Sequence, residues 1–100
     1  MNKQYKKLWL EALRSGKYEQ INNELSNDDG FCCLGVLCKI TGLAYEEDMS
    51  FLPEDIMFVA GLNKGNPLVV YNGETRGLAY FNDHKNLTFA QIADLIEEQL

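Results

Sequence analysis

Apolar residues recur at helical spacing along the first part of the chain. Tyr5, Leu8, Trp9, Ala12 and Leu13 fall at i, i+3, i+4, i+7 and i+8, one stripe of an amphipathic helix. Arg14 suits the negative end of that helix, and Gly16 suits a left-handed residue that closes it. Trp9, the one tryptophan, lies on the stripe and is expected in the core. Residues 17–30 lose the pattern. Asn22-Asn23 and Ser26-Asn27-Asp28-Asp29-Gly30 are turn chemistry, with Tyr18, Ile21 and Leu25 as anchors. Residues 31–40, Phe-Cys-Cys-Leu-Gly-Val-Leu-Cys-Lys-Ile, are apolar on nearly every side. Their length and the Gly42 stop signal favour a central helix over a buried strand. Gly35 inside it costs about 1 kcal/mol relative to Ala, which predicts close approach by a neighbouring element.

Residues 43–52 form an acidic connection around Glu46-Glu47-Asp48. Pro53 then fits the first position of a short helix, with Glu54 and Asp55 in its first turn and Gly61 ending it. Ile56, Val59 and Ala60 supply its apolar face. Leu68-Val69-Val70-Tyr71 and Leu78-Ala79-Tyr80-Phe81 read as two strands of a β-hairpin, joined by residues 72–77 in a connection longer than a two-residue turn. A lone hairpin is marginal in water, so this one must pack on helices. The last helix carries the clearest local signature. Thr88 and Gln91 make a capping box, and Leu87 and Ile92 a hydrophobic staple. Phe89, Ile92, Ala93 and Ile96 face inward, and Asp94, Glu97, Glu98 and Gln99 face water. The predicted fold is α+β: a small helical domain of about four helices with one β-hairpin packed on them, residues 1–100 forming a single domain.

A chain of 100 residues holds one core, and 46% apolar with 24% charged residues is ordinary for a globular protein. No apolar run approaches the ~18 residues of a membrane span. No apolar stretch follows the basic N-terminus, so neither a secretory signal nor a membrane partner is expected. The net charge of −6 argues against a DNA or RNA polymer as partner. The charge is uneven. Residues 1–18 carry Lys3, Lys6, Lys7, Arg14 and Lys17 against Glu11 alone, a balance of +4 that leaves −10 on the rest. Such a helix is either a solvated face or a lure for a small anion or for the acidic face of another subunit. The three cysteines, Cys32, Cys33 and Cys38, are an odd count in one short segment. Adjacent cysteines rarely bridge, and free thiols in a reducing cytoplasm are expected.

Candidate chemistry is sparse. His84 is the only histidine, far in sequence from the cysteines, and no second Cys/His pair completes a zinc site. A nucleophilic cysteine needs a thiolate and a base. On an apolar helix a thiol is mainly packing, with Cys32 the exposed candidate if any is. No phosphate loop of the Walker type and no dinucleotide-binding glycine motif appear. These features favour binding over catalysis. Two polar clusters stand out. Arg14-Ser15-Gly16-Lys17-Tyr18-Glu19-Gln20 reads either as a helix end with surface residues or as a ligand set, with cations for phosphate, Tyr for stacking and Gln for a base edge. Tyr80-Phe81-Asn82-Asp83 ends in what reads first as a side-chain-stabilised turn.

Taken together, Leu13-Arg14-Ser15-Gly16-Lys17-Tyr18-x-Gln20, Phe31-Cys32-Cys33-Leu34-Gly35-Val36-Leu37-Cys38, Leu52-Pro53, Gly61-Leu62, Asn82-Asp83 and Phe89-x-x-Ile92-Ala93-x-x-Ile96 resemble a widespread family of small phage proteins. The match covers nearly the whole chain, and the cysteine block is its most specific part. The resemblance implies a phage origin and a role in the cytoplasm of an infected bacterium. Small phage proteins of this kind include sponges that sequester cyclic or NAD-derived nucleotide signals of bacterial defence, usually as symmetric homo-oligomers. On that reading the protein is not an enzyme and uses no cofactor or metal. Arg14, Lys17, Tyr18 and Gln20 are the first-choice ligand contacts, with Arg76 and Tyr80 from the hairpin. The alternative is a protein–protein module that inhibits a host factor.

Overall fold

The computed structural model describes residues 1–100. Five helices and two small antiparallel strand pairs make an α+β fold. Helix α1 is Lys3–Arg14, α2 is Cys33–Thr41, α3 is Glu54–Ala60, α4 is Leu78–Asp83 and α5 is Phe89–Gln99. Strands β1 (Ser26–Asn27) and β2 (Gly30–Phe31) pair, as do β3 (Leu68–Tyr71) and β4 (Glu74–Gly77).

Helix α2 is the centre. Every residue from Cys33 to Cys38 is buried, as expected of a helix apolar all round. Helix α1 packs on α2 and α5, and the buried Trp9 donates its indole N–H to the Cys33 carbonyl at 2.9 Å. Leu8, placed on the apolar stripe by its spacing, is instead 39% exposed. The stripe narrows to Trp9 and Leu13, with Ala12 and Leu10 half-buried beside them. The close approach expected at Gly35 is there. A Cβ at that position would run into the backbone carbonyl of Leu25, which also accepts the Cys32 amide at 2.9 Å. Gly42 and Gly61 close α2 and α3 in the left-handed conformation at φ 73° and 71°. Thr88 and Gln91 form the reciprocal capping box of α5, with Leu87 and Ile92 both buried.

Local corrections concern where elements begin. Phe31 belongs to β2, so α2 starts two residues later, with Cys32 as its N-cap. Pro53 is the N-cap of α3 rather than its first helical residue. The larger correction is the hairpin. Its second strand is Glu74–Gly77, not residues 78–81, and its turn is Asn72-Gly73, two residues at φ 51° and 80°. Both central residues at positive φ fit the tight turn that an Asn-Gly pair prefers. Residues 78–81 form most of α4, where Leu78, Ala79 and Phe81 are buried. A four-residue apolar run is too short to show a period, so strand and helix look alike in it. Asn66 supports the helix from a distant loop. Its side-chain oxygen accepts the Ala79 amide at 2.9 Å and so caps the first turn of α4.

Candidate functional site

The six residues expected to hold a ligand do not come together. Arg14 spans to α5, where one guanidinium nitrogen meets Asp94 at 2.8 Å and Glu97 at 3.1 Å. Its hydrogen bonds to Glu97 and then to Asp94 hold its pKa above the ordinary arginine value. Lys6 closes the same helix end by donating to the Glu97 carbonyl at 3.0 Å. An open trough of about 660 Å³ runs along this face, lined by Lys3, Lys6, Lys7, Leu10, Glu11, Arg14 and Glu97. It is the largest hollow in the molecule. Yet two of its four cations are already engaged by α5, and Leu10 is its one apolar side chain. Lys17 is exposed, and Tyr18 packs edge-on against Phe31 with ring centroids 5.2 Å apart.

Gln20 has a structural task. Its amide donates to the Asn82 side-chain oxygen and to the Leu87 carbonyl, both at 2.8 Å. Asn82 is fully buried and is a hub rather than a simple turn residue. Its side-chain oxygen also accepts the Cys33 amide at 3.2 Å. Its side-chain N–H₂ donates to the Ile21 carbonyl and to Asp83, each at 2.8 Å. One amide thus ties the 20–22 loop, the start of α2 and the end of α4. No buried side-chain polar atom in the protein lacks a partner, as native interiors require.

The remaining two expected residues meet. The Arg76 guanidinium lies 4.6 Å from the centroid of the Tyr80 ring, within the range of a cation–π contact. Tyr80 in turn lies against His84, centroid to centroid 5.3 Å, one turn further along α4. Tyr80 and His84 line a cleft of about 310 Å³ with Asn23, Ser50, Phe51, Asn66, Ala79 and Asp83. Glu74 holds the neighbouring cations, Arg76 at 3.7 Å and Lys85 at 3.4 Å. The cleft therefore combines aromatic walls (Phe51, Tyr80, His84), amide and hydroxyl groups (Asn23, Ser50, Asn66), one carboxylate (Asp83) and a cation at Tyr80. That mix of apolar walls and a few placed polar groups is what small-molecule sites use. The sequence pointed to Arg76 and Tyr80 and grouped Asp83 with Tyr80, but did not mark Asn66, Phe51 and His84 as their companions. The Asn82-Asp83 pair was the one available signal.

Ser50, Asp83 and His84 share the cleft without making a relay. The Ser50 hydroxyl is 3.5 Å from the Asn23 carbonyl, Asp83 accepts from Asn82, and no hydrogen bond joins His84 to either. The cysteines lie elsewhere. All three are free and buried, Cys32 at the helix start included. The Cys32 sulfur accepts the Gly35 amide and serves as the N-cap of α2. Burial pushes the Cys32 thiol up to about 11 and Cys38 up to about 12, and raises Cys33 strongly as well. Such thiols stay neutral and poorly nucleophilic at neutral pH. No three His, Cys, Asp or Glu residues converge as a metal site. No helix is long and apolar enough to cross a membrane.

A family model described as a domain of unknown function (DUF8296) matches residues 1–57. The match spans α1, both strands of the first pair, α2 and the start of α3. No curated protein and no solved structure matches the chain.

Proposed function

We propose, for a chain that belongs to the DUF8296 family of domains of unknown function, that it binds a small nucleotide and sequesters it unchanged. In keeping with the resemblance to small phage proteins, the ligand is a nucleotide signal of bacterial defence, and the site of action is the cytoplasm of the infected host. The observation that carries this reading is the Arg76–Tyr80–His84 cluster at the edge of a cleft of about 310 Å³. Aromatic faces suit a base, and a guanidinium suits phosphate oxygens. The volume lies at the small end of ligand pockets and fits one nucleoside unit, with the phosphates toward Arg76 and Lys85. Sequestration without turnover is supported by the neutral, buried thiols and by the missing Ser50–His84 hydrogen bond. A symmetric homo-oligomer belongs to the same proposal. Leu68 and Val70, about half exposed at alternate positions of β3, offer an apolar strip for it.

The test is a thermal-shift screen against cyclic dinucleotides, cyclic trinucleotides and ADP-ribose derivatives, followed by recovery of any bound ligand after denaturation. Intact ligand supports sequestration, product indicates an enzyme, and no binding by any nucleotide removes the reading. A second reading, a module that inhibits a host protein, is favoured by Phe58, which stands 86% exposed on α3. Phe58→Ser would abolish host-protein capture on that reading and leave nucleotide binding untouched on the first.

A further inference from the structure

The cleft has one carboxyl group among its lining residues, that of Asp83, and the surrounding network holds it in place. Asn82 donates to one Asp83 oxygen at 2.8 Å, and Asn82 is itself held by the Ile21 carbonyl, Gln20 and the Cys33 amide. A carboxylate is acceptor-only, with about four lone-pair sites over its two oxygens. One bond from Asn82 leaves most of that capacity for a ligand. The ligand group facing Asp83 must therefore present hydrogen-bond donors.

Building on the nucleotide reading above, we propose that the cleft selects a guanine base, with Asp83 reading its Watson–Crick edge. Guanine places a ring N1–H beside an exocyclic N–H₂, two parallel donors spaced to meet both carboxylate oxygens. Adenine and cytosine place one amino group beside an unprotonated ring nitrogen, which would set a lone pair against the second oxygen. Uracil and thymine flank a single N–H with two carbonyls, and both would repel the carboxylate. Asn66 completes the match. Its side-chain oxygen is engaged by the Ala79 amide, which leaves its N–H₂ as a donor for the O6 that adjoins guanine N1. Phe51, Tyr80 and His84 provide faces on which a purine can stack, and every base stacks. Discrimination therefore falls to Asp83 and Asn66.

The experiment is a calorimetric or NMR titration of the whole protein with GMP, IMP and AMP at one salt concentration. IMP keeps N1–H and O6 but lacks the exocyclic amine, so it separates the two contacts to Asp83. The expected order is GMP, then IMP, then AMP, with GMP favoured over AMP by about five- to 150-fold, the range of a bidentate base-edge contact. Asp83→Asn should cut the GMP preference to within about threefold, because a second acceptor oxygen becomes a donor. If that variant does not fold, the wild-type order still decides. AMP binding as tightly as GMP overturns guanine selection and leaves nucleotide binding standing. Failure of all three to bind overturns guanine selection in this cleft, and the nucleotide reading falls with it if the cyclic and ADP-ribose ligands also fail to bind.

Discussion

Replacing Asn82 with Ala is expected to destabilise the protein by about 3–5 kcal/mol. The side chain is fully buried, and its loss strands two backbone groups at once. The Cys33 amide loses its 3.2 Å acceptor and the Ile21 carbonyl its 2.8 Å donor. A buried group left without a partner costs about 1–3 kcal/mol, and the vacated side-chain volume adds to it. Gln20 suffers less, because its amide keeps the Leu87 carbonyl at 2.8 Å. A domain of this size has roughly 5–15 kcal/mol to lose, so the variant should be visibly marginal. Urea unfolding followed by Trp9 fluorescence reads the effect, since Trp9 is buried and donates to the carbonyl of the same residue, Cys33. The midpoint should fall by about 1 M or more, given slopes of about 1–3 kcal/mol per M. Asn82→Asp separates the donor role from the acceptor role. It keeps oxygens for Cys33 and Gln20 but sets a second carboxylate against Asp83. Burial and that neighbour raise the folded-state pKa of the introduced carboxyl. Its stability deficit relative to wild type is then small below about pH 4 and grows as pH rises through the folded pKa. A shift below about 1 kcal/mol for Asn82→Ala, or a pH-independent deficit for Asn82→Asp, would refute the hub.

Three further predictions concern sites away from the cleft. Thr88→Ala should cost about 1 kcal/mol through loss of the α5 cap, read as a lowered urea midpoint with nucleotide binding unchanged; an unaltered midpoint would count against the cap. The three thiols should resist alkylation in the native state and react fully on denaturation. Their raised folded-state pKa values stabilise the fold below the unfolded value near 9, and that contribution is lost as pH rises through about 11 to 12. Melting temperature should therefore fall from pH 9 upward, and prompt native alkylation would contradict the burial. Arg14→Ala should lower the melting temperature more at low salt than at high salt, because its pairs with Asp94 and Glu97 are exposed and screened. Loss of nucleotide binding in a variant of unchanged melting temperature would return Arg14 to the ligand site.

What the sequence revealed follows from the range of each interaction. Helix starts and stops are local, so the Thr88–Gln91 box, Gly42 and Gly61 were legible and are present. Gly35 was legible as a close approach, but Leu25 as the neighbour was not. Strand β4 escaped because Thr75 and Arg76 are exposed, so no alternation marks it, while the apolar run after it drew the assignment. The short β1–β2 pair is too brief to leave a pattern. The polar cluster at the end of α1 looked free because its partners are remote. Asp94 is 80 residues from Arg14, and Asn82 is 62 from Gln20. Arg76 and Tyr80 were picked as accessories from one presumed hairpin. They meet because a strand and a helix place them together, with Asn66 and Phe51 arriving from loops that only the fold brings near.

On the proposed reading a nucleotide sits on the Tyr80 side of the cleft. The most direct measurement is an NMR titration of the wild-type protein and Tyr80→Ala with GMP. One-to-one binding should shift the resonances of Phe51, Tyr80, Asp83 and His84. Affinity should weaken about five- to 150-fold in Tyr80→Ala, the value of one base–aromatic stack. Shifts confined to Lys3, Lys7 and Arg14 along α1, or equal affinity in the two proteins, would contradict that reading.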